Sequence, residues 1–410
     1  MKYGLIGERL GHSFSKIIHE KIADYDYDLL EIPRDELEGF MAKRDFLGIN
    51  VTIPYKERVI PCLDEIDEPA RRIGAVNTVI NKDGKLCGYN TDFYGMKELI
   101  RHADIDVKDK KAAILGSGGT SKTAKAVLLS LGAREILTVS RSKSEGVISY
   151  EELKENHRDI DILVNTTPLG MYPNIFDCPI DPAIFTRLSG VIDPIYNPIN
   201  TTLIQKARAM GIKAEGGLYM LVAQAVYAAE RFTERDIPSS VTDKIFEQIK
   251  REKENIVLIG MPASGKSTVG KILADRLGRD FIDTDELIKE RTKMEIKDFF
   301  ALHGEEEFRL VESETIKEIA DKTSAVIATG GGAILRKENV SALKYNGKLF
   351  FIDRPLNLLV TTDTRPLSAN RELLEMRFKE RYHIYKSVCD CHVDGSGSAP
   401  DVSEKIMENF

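Results

Sequence analysis

Strand and helix signals alternate along most of the chain. Met1 to Gly7, Tyr27 to Ile32 and Gly48 to Val51 read as strands, with a helix from Pro33 to Met41 between the last two. Ala112 to Leu115 is a short apolar strand followed by a glycine loop, a helical stretch Ser121 to Leu131 and a strand Glu135 to Val139, which together predict a βαβ unit. Ile160 to Asn165 and Gly190 to Asp193 supply later strands. Leu218 to Phe232, rich in Ala, Leu and Val, reads as a buried helix, and Val241 to Lys253 as a polar one. A new apolar strand then opens at Ile256. The alternation predicts an α/β protein with parallel sheets.

A length of 410 residues predicts two or three domains. No Gly/Ser-rich or Pro-rich linker separates them, and the boundary is expected near Glu254, giving domains over 1–254 and 255–410. A net charge of -7 argues against nucleic-acid binding. No apolar run approaches the roughly 20 residues that span a bilayer, and the N-terminus reads as a strand, not as a signal peptide. Cys62, Cys87, Cys178, Cys389 and Cys391 are scattered, without zinc spacing, as expected of reduced thiols in a cytosolic protein. Cys389-Asp390-Cys391 would place two thiols on one face if it lay in a strand, but the further ligands of a metal site are missing.

Two glycine loops carry the first chemical signals. Gly116-Ser117-Gly118-Gly119-Thr120 lets the backbone turn tightly and approach a pyrophosphate at a helix N-terminus. Its spacing departs from G-x-G-x-x-G, so an ordinary glycine turn remains an alternative. The second strand of that βαβ unit ends on Ser140-Arg141-Ser142-Lys143, without the acid that grips the ribose of NAD. Arg, Lys and hydroxyls suit a 2′-phosphate, which favours NADP. The other loop, Gly260-Met261-Pro262-Ala263-Ser264-Gly265-Lys266-Ser267-Thr268, fits the P-loop pattern between a strand and a helix. Its backbone N–H groups cradle phosphates, Lys266 adds positive charge and Ser267 helps to hold Mg²⁺. No N-K-x-D guanine motif occurs, so adenine is the expected base.

Further motifs flank both loops. Gly11-His12-Ser13-Phe14-Ser15, Asn50-Val51-Thr52-Ile53-Pro54-Tyr55-Lys56, Gly74-Ala75-Val76-Asn77-Thr78 and Gly88-Tyr89-Asn90-Thr91-Asp92 come first. Val164-Asn165-Thr166-Thr167-Pro168-Leu169-Gly170-Met171 and Gly217-Leu218-Tyr219-Met220-Leu221-Val222-Ala223-Gln224 follow. In this order they resemble shikimate dehydrogenase over about the first 250 residues. Lys16 stands where that family usually has Pro. The resemblance implies a substrate part over 1–105 and 217–250, and an NADP-binding Rossmann part over 106–216. It implies Lys56 as proton donor to a carbonyl oxygen, with Asp92 orienting it. Ser13, Ser15, Thr52, Asn77, Asn90, Tyr196 and Gln224 would bind a hydroxylated carboxylic acid. Gly116 to Thr120, Ser140, Arg141, Asn165, Thr166 and Gly217 would contact NADP(H). Taken without this setting, Lys56 and Asp92 read equally as a surface ion pair.

After the P-loop come Phe281-Ile282-Asp283-Thr284-Asp285, which reads as a strand ending in two acids, then Gly304-Glu305-Glu306-Glu307-Phe308-Arg309, Ala328-Thr329-Gly330-Gly331-Gly332-Ala333, Thr364-Arg365-Pro366-Leu367 and Glu380-Arg381-Tyr382. This series resembles shikimate kinase and implies a P-loop three-layer α/β/α domain with a parallel sheet. By the resemblance, Met261 to Thr268 and Arg365 bind ATP, Ser267 and Asp283 hold Mg²⁺, and Asp285 orients or deprotonates the attacking hydroxyl. Arg309 and Arg381 would clamp a carboxylate, Gly330, Gly331 and Gly332 would admit the ring, and Phe308 would wall it. The lid, Leu358 to Arg365, reads about three residues shorter than usual and lacks an arginine near Thr361. The expectation is a bifunctional enzyme of aromatic amino acid biosynthesis. It would reduce 3-dehydroshikimate with NADPH and phosphorylate shikimate with MgATP. A quinate-preferring dehydrogenase joined to the same kinase, or one half kept as a regulatory module, are the alternatives.

Overall fold

The computed structural model describes residues 2–10, 14–142, 144–359 and 371–410. The chain divides into two units, Met1–Asn197 with Thr201–Ile249, and Pro198–Asn200 with Lys250–Phe410. The division falls inside the helix Ser239–Lys253, a few residues before Glu254.

The first unit holds two sheets. One runs in the order Tyr27–Glu31, Tyr3–Gly7, Gly48–Val51, Thr78–Lys82, Lys85–Tyr89, Glu65–Ile66. Its first three strands are parallel, and Thr78–Lys82 is antiparallel to both neighbours. The other sheet is parallel throughout, in the order Lys213–Gly216, Gly190–Asp193, Ile162–Asn165, Lys111–Leu115, Glu135–Val139, Val147–Ile148. That is the doubly wound arrangement, whose crevices lie beyond the C-terminal strand ends. Lys111–Leu115 and Ile162–Asn165 are buried at every position, as parallel strands covered on both faces must be.

Two helices connect the layers of this unit. Thr91–His102 and Leu218–Thr233 pack closely because Gly95 has no side chain; a Cβ there would lie 2.8 Å from the Met220 carbonyl oxygen and 2.9 Å from Gln224 Cβ. Their apolar faces, with Met96, Leu99, Val222 and Val226, join Ile114 and Val127 of the parallel layer in one core. The predicted helix at Pro33 begins later, at Leu37, and ends at Lys43. A turn closed by Glu36 N–H to the Pro33 carbonyl takes up the intervening residues.

The second unit is built on a parallel sheet in the order Asp280–Asp283, Ala325–Ala328, Asn255–Ile259, Gly347–Asp353, Cys391–Asp394. The P-loop strand is central, so its C-terminal end opens between two neighbours. Asp285 lies in the first turn of the helix Thr284–Thr292, not at a strand end as expected from sequence. Asp283 causes this by capping that helix: its Oδ1 accepts from the Asp285 N–H at 3.0 Å. Cys389 and Cys391 do not share a strand, because the helix Arg371–Val388 ends one residue earlier and the strand starts at Cys391. Among the described residues no helix is long and apolar enough to cross a membrane, and no cluster of three or more His, Cys, Asp or Glu could hold a metal.

Candidate active sites

In the first unit a cleft of about 690 Å³ opens between the two sheets, lined by Lys56, Asp92, Asn77, Thr52, Tyr196 and Gln224 among others. Lys56 Nζ donates to Asp92 Oδ2 at 2.6 Å. The residues are thirty-six positions apart in sequence, and different devices set them. The Lys56 backbone is pinned by the Val76 N–H on its carbonyl, and by the buried Tyr55, whose hydroxyl donates to the Ile32 carbonyl. Asp92 sits in the first turn of Thr91–His102, where the helix dipole favours an anion. The pair keeps about a quarter of its side-chain surface open, 29% for Lys56 and 22% for Asp92. A ligand in the cleft can therefore reach both.

The other assigned groups divide into those facing the cleft and those spent inside the protein. Ser15, Thr52, Asn77, Tyr196, Gln224, Gly119, Thr120 and Gly217 line it. Asn90 lines it too, but its Oδ1 caps the helix at the Phe93 N–H, 3.1 Å, and its Nδ2 donates to the Ala75 carbonyl at 2.9 Å. Asn165 is spent entirely. Its Nδ2 donates to Asp193 and the Leu169 carbonyl, and its Oδ1 accepts from the N–H and hydroxyl of Thr167. It shapes the loop after its strand, and its side chain is fully used within the protein. Asp193 anchors both strand-end loops, accepting also from Thr201 at 2.7 Å and from the Ile195 N–H. Burial pushes its carboxyl up to about 7, against the pull of those hydrogen bonds. Tyr196 follows it, edge-on to Phe14 at 5.7 Å. Asn50 also lines the cleft and was given no role from sequence. Its signal was a polar residue in a strand, Gly48–Val51, that is buried at every position.

The glycine loop precedes the helix Gly119–Ser130, whose N-cap Gly118 supplies no side-chain cap. Its first N–H groups are thus open to an anion. Among the described residues, a Cβ at Gly118 or Gly119 would meet nothing within 4 Å. Gly116 needs its glycine, with φ at +107° and Thr166 Oγ1 2.8 Å from where a Cβ would stand. Ser117 and Ser140 hydroxyls approach to 3.4 Å, and Arg141 is exposed beside them. Gly217 is the tightest position: a Cβ there would overlap the Pro194 carbonyl, although its φ of -74° suits any residue. Gly217→Ala must therefore push apart the Pro194–Tyr196 loop and the start of Leu218–Thr233. We expect it to lower any reductase activity at least about a hundredfold, or to destabilise the unit by about 1–3 kcal/mol, the range for overpacking. A variant with wild-type rate and melting temperature would contradict this.

In the second unit a cavity of about 320 Å³ is lined by Pro262, Ala263, Gly265, Lys266, Ser267, Thr268, Asp285, Thr329 and Gly331. Lys266 is folded onto its own loop, donating to the Gly260 and Met261 carbonyls at 2.9 Å each. Ser264 N–H closes the loop on the Met261 carbonyl. Ser267 donates to Asp283 Oδ2 at 2.6 Å. Beside the cavity, the stretch Gly330 to Gly332 is crowded by charge. A Cβ at Gly330 would lie 2.7 Å from Asp285 Oδ1 and 2.8 Å from Glu312 Oε1, and one at Gly332 would overlap the Arg309 guanidinium. Arg309 follows a break in the helix Ile296–Glu318 at Gly304, and its Nη1 donates to Glu312 at 2.6 Å. Burial raises the Glu312 carboxyl above its ordinary range; the Arg309 charge opposes this. Arg381 is 1% exposed and gives Nη1 to the Gly331 carbonyl. Among the described residues its Nε and Nη2, with Arg309 Nε, have no hydrogen-bond partner. Glu312 was missed from sequence, although it stands one helical turn from Arg309. Phe308 packs against Ile288 and Phe299 in a small core and does not line the cavity. Ser13, Lys143 and Arg365 lie outside the described residues.

Comparison with known proteins places each half of the chain beside a known family. The family model for the shikimate dehydrogenase substrate binding domain matches residues 5–79. The shikimate dehydrogenase (NADP(+)) of Clostridium perfringens strain SM101 is 37% identical over 266 residues, covering 60% of this chain and 98% of that protein. The chain belongs to the shikimate dehydrogenase family. The Halothermothrix orenii shikimate dehydrogenase (NADP(+)) is 40% identical over 259 residues, 56% of this chain and 90% of its own. Two solved structures are similar as well. A chorismate mutase/shikimate 5-dehydrogenase fusion protein from Clostridium acetobutylicum has a TM-score of 0.58 at 37% identity, covering 61% of this chain and 97% of that one. A shikimate 5-dehydrogenase from Thermus thermophilus, in complex with NADP(H) and shikimate, has a TM-score of 0.55 at 27% identity over 60% and 99%. This dehydrogenase carries a second domain, for residues 262–410 match the family model for shikimate kinase.

Proposed function

We propose that the first unit reduces 3-dehydroshikimate to shikimate with NADPH and that the second phosphorylates the shikimate 3-hydroxyl with MgATP. The observation that carries the first activity is the Lys56–Asp92 pair at 2.6 Å on an open cleft. For the second it is the buried guanidinium N–H groups of Arg381 and Arg309, without a partner among the described residues, beside a P-loop cavity.

The residues divide the work as follows. Lys56 gives a proton to the carbonyl oxygen of the substrate, and Asp92 keeps the ammonium aimed and accepts from a substrate hydroxyl. Bound NADPH supplies the hydride. The open helix end at Gly118 and Gly119 suits its pyrophosphate, and Ser140 and Arg141 suit its 2′-phosphate. In the second unit Lys266 and the loop N–H groups hold phosphates, while Asp285 orients the attacking hydroxyl and takes its proton. Ser267 and Asp283 form one hydroxyl–carboxylate pair, which fits a Mg²⁺ ion that keeps most of its waters and the phosphates as ligands. Arg309 and Arg381 grip the substrate carboxylate with forked donors.

Two assays on the purified chain test the reading: NADPH oxidation with 3-dehydroshikimate, and shikimate-dependent ADP release. Both should proceed, and the absence of either removes that half of the reading. Cofactor choice gives a finer check. Arg141→Ala loses a charge-assisted bond worth roughly 1.5–3 kcal/mol. The preference for NADPH over NADH should narrow by about tenfold to a hundredfold. An unchanged ratio moves the 2′-phosphate contact away from Arg141.

A further inference from the structure

The strands Asp280–Asp283 and Ala325–Ala328 of the second unit pair in parallel, and their last matched residues are Asp283 and Ala328. Beyond that point the two segments part. One turns into the helix Thr284–Thr292, with Asp285 in its first turn. The other runs into Thr329 and the three glycines. Thr329 stays with the P-loop strand, giving its N–H and its hydroxyl to the Leu258 carbonyl. Gly330 turns to the other neighbour: its N–H donates to Thr284 Oγ1 at 3.0 Å. Both residues are buried, Thr284 completely. A side-chain hydroxyl thus carries the pairing of the two strands past the end of their ladder.

What else lies against Gly330 gives this bond its consequence. Asp285 Oδ1 and Glu312 Oε1 fill the place of its missing side chain, 2.7 Å and 2.8 Å from where a Cβ would stand. A buried N–H needs an acceptor. Without Oγ1 those two carboxylate oxygens are at hand, and a carboxylate draws an N–H more strongly than a hydroxyl does. Asp285 Oδ1 would then be pulled onto the backbone, away from the cavity that Asp285 lines. The other anchors of the glycine run do not prevent this. Arg381 and Tyr385 both donate to the Gly331 carbonyl, which fixes the Gly331–Gly332 peptide. The Gly330 N–H belongs to the Thr329–Gly330 peptide, two peptides earlier, and glycine lets that one turn.

We propose that Thr284 is a positioning residue for phosphoryl transfer: its hydroxyl oxygen occupies the Gly330 N–H and so keeps the Asp285 carboxylate turned to the attacking hydroxyl of the substrate. The inference rests on the kinase reading above. Thr284 itself does not line the cavity, so it acts through Gly330 and Asp285 and not on the ligand.

Thr284→Val tests this, assayed by shikimate-dependent ADP release with NADPH omitted so that the reductase is silent. Valine has the shape of threonine without the acceptor. kcat should fall by about fivefold to a hundredfold, the kinetic equivalent of one orphaned buried N–H. The KM for ATP should stay within about twofold, because the phosphate loop keeps its own bonds. Thr284→Ser restores the acceptor and should keep kcat within about twofold of the unsubstituted chain. Loss of packing alone gives the reverse order, since serine lacks a methyl group that valine keeps. Should Thr284→Val fail to fold, Thr284→Cys keeps the volume and a weak acceptor, and its kcat should fall at least about threefold below that of Thr284→Ser. A folded Val or Cys variant whose kcat matches that of Thr284→Ser, or a KM for ATP that rises as far as kcat falls, overturns the proposal and leaves the kinase reading intact. An unsubstituted chain without shikimate-dependent ADP release overturns the reading and this inference with it.

Discussion

Lys56→Ala lowers 3-dehydroshikimate reduction by about 10²–10⁴-fold, the usual contribution of a general acid, and leaves shikimate-dependent ADP release as it was. The expectation follows from how Lys56 is held. Its backbone is secured by Val76 and the neighbouring Tyr55, so truncation removes the ammonium and leaves the loop in place. Asp92 loses its partner but stays partly open to water in the cleft. A pair of this exposure contributes little to stability, about 0–1 kcal/mol, so the variant should melt close to the unsubstituted protein. The loss should appear in kcat, because the proton moves only as the carbonyl is reduced. A folded variant that keeps kcat within about tenfold would remove Lys56 from the proton-donor role.

Asp285→Asn lowers phosphoryl transfer by about 10²–10⁴-fold while reduction continues. Asparagine has the same shape and keeps the backbone N–H that bonds to Asp283, so the helix start should survive. It cannot take a proton from the attacking hydroxyl. Asp285 Oδ1 also shares the space beside Gly330 with Glu312 Oε1. That arrangement supplies the control: if kcat for ADP release in Asp285→Asn stays within about tenfold, Glu312 becomes the carboxylate to test. Because each substitution is expected to silence one assay only, the two variants serve as reciprocal controls in a single chain.

Much of the fold is legible in the order of residues alone. The strands Gly48–Val51, Glu135–Val139 and Gly190–Asp193 have the ends expected from the apolar pattern, because each is a short run of strand-forming residues bounded by turn or polar residues. Both glycine loops lie between a strand and a helix, since their geometry depends on a few adjacent residues. The misses were local competitions that pattern cannot weigh. A turn displaced the first residues of the helix expected at Pro33, and the cap at Asp283 moved Asp285 from strand to helix.

The sequence by itself determined the α/β class, the two nucleotide loops and the residue types available to each cleft, because these depend on spacing along the chain. Only the tertiary structure decided which of those residues meet. Lys56 reaches Asp92 because one is anchored by Val76 and the other by a helix cap. Asn165 is spent on Asp193 because their strands are neighbours in the sheet. A Cβ at Gly332 would fall on the Arg309 guanidinium because the helix Ile296–Glu318 carries that side chain against the loop. Tyr27 reaches Asn50 because both of their strands flank Tyr3–Gly7. Such contacts join residues far apart in the chain, and strand order and helix packing, which no local pattern encodes, bring them within bonding distance.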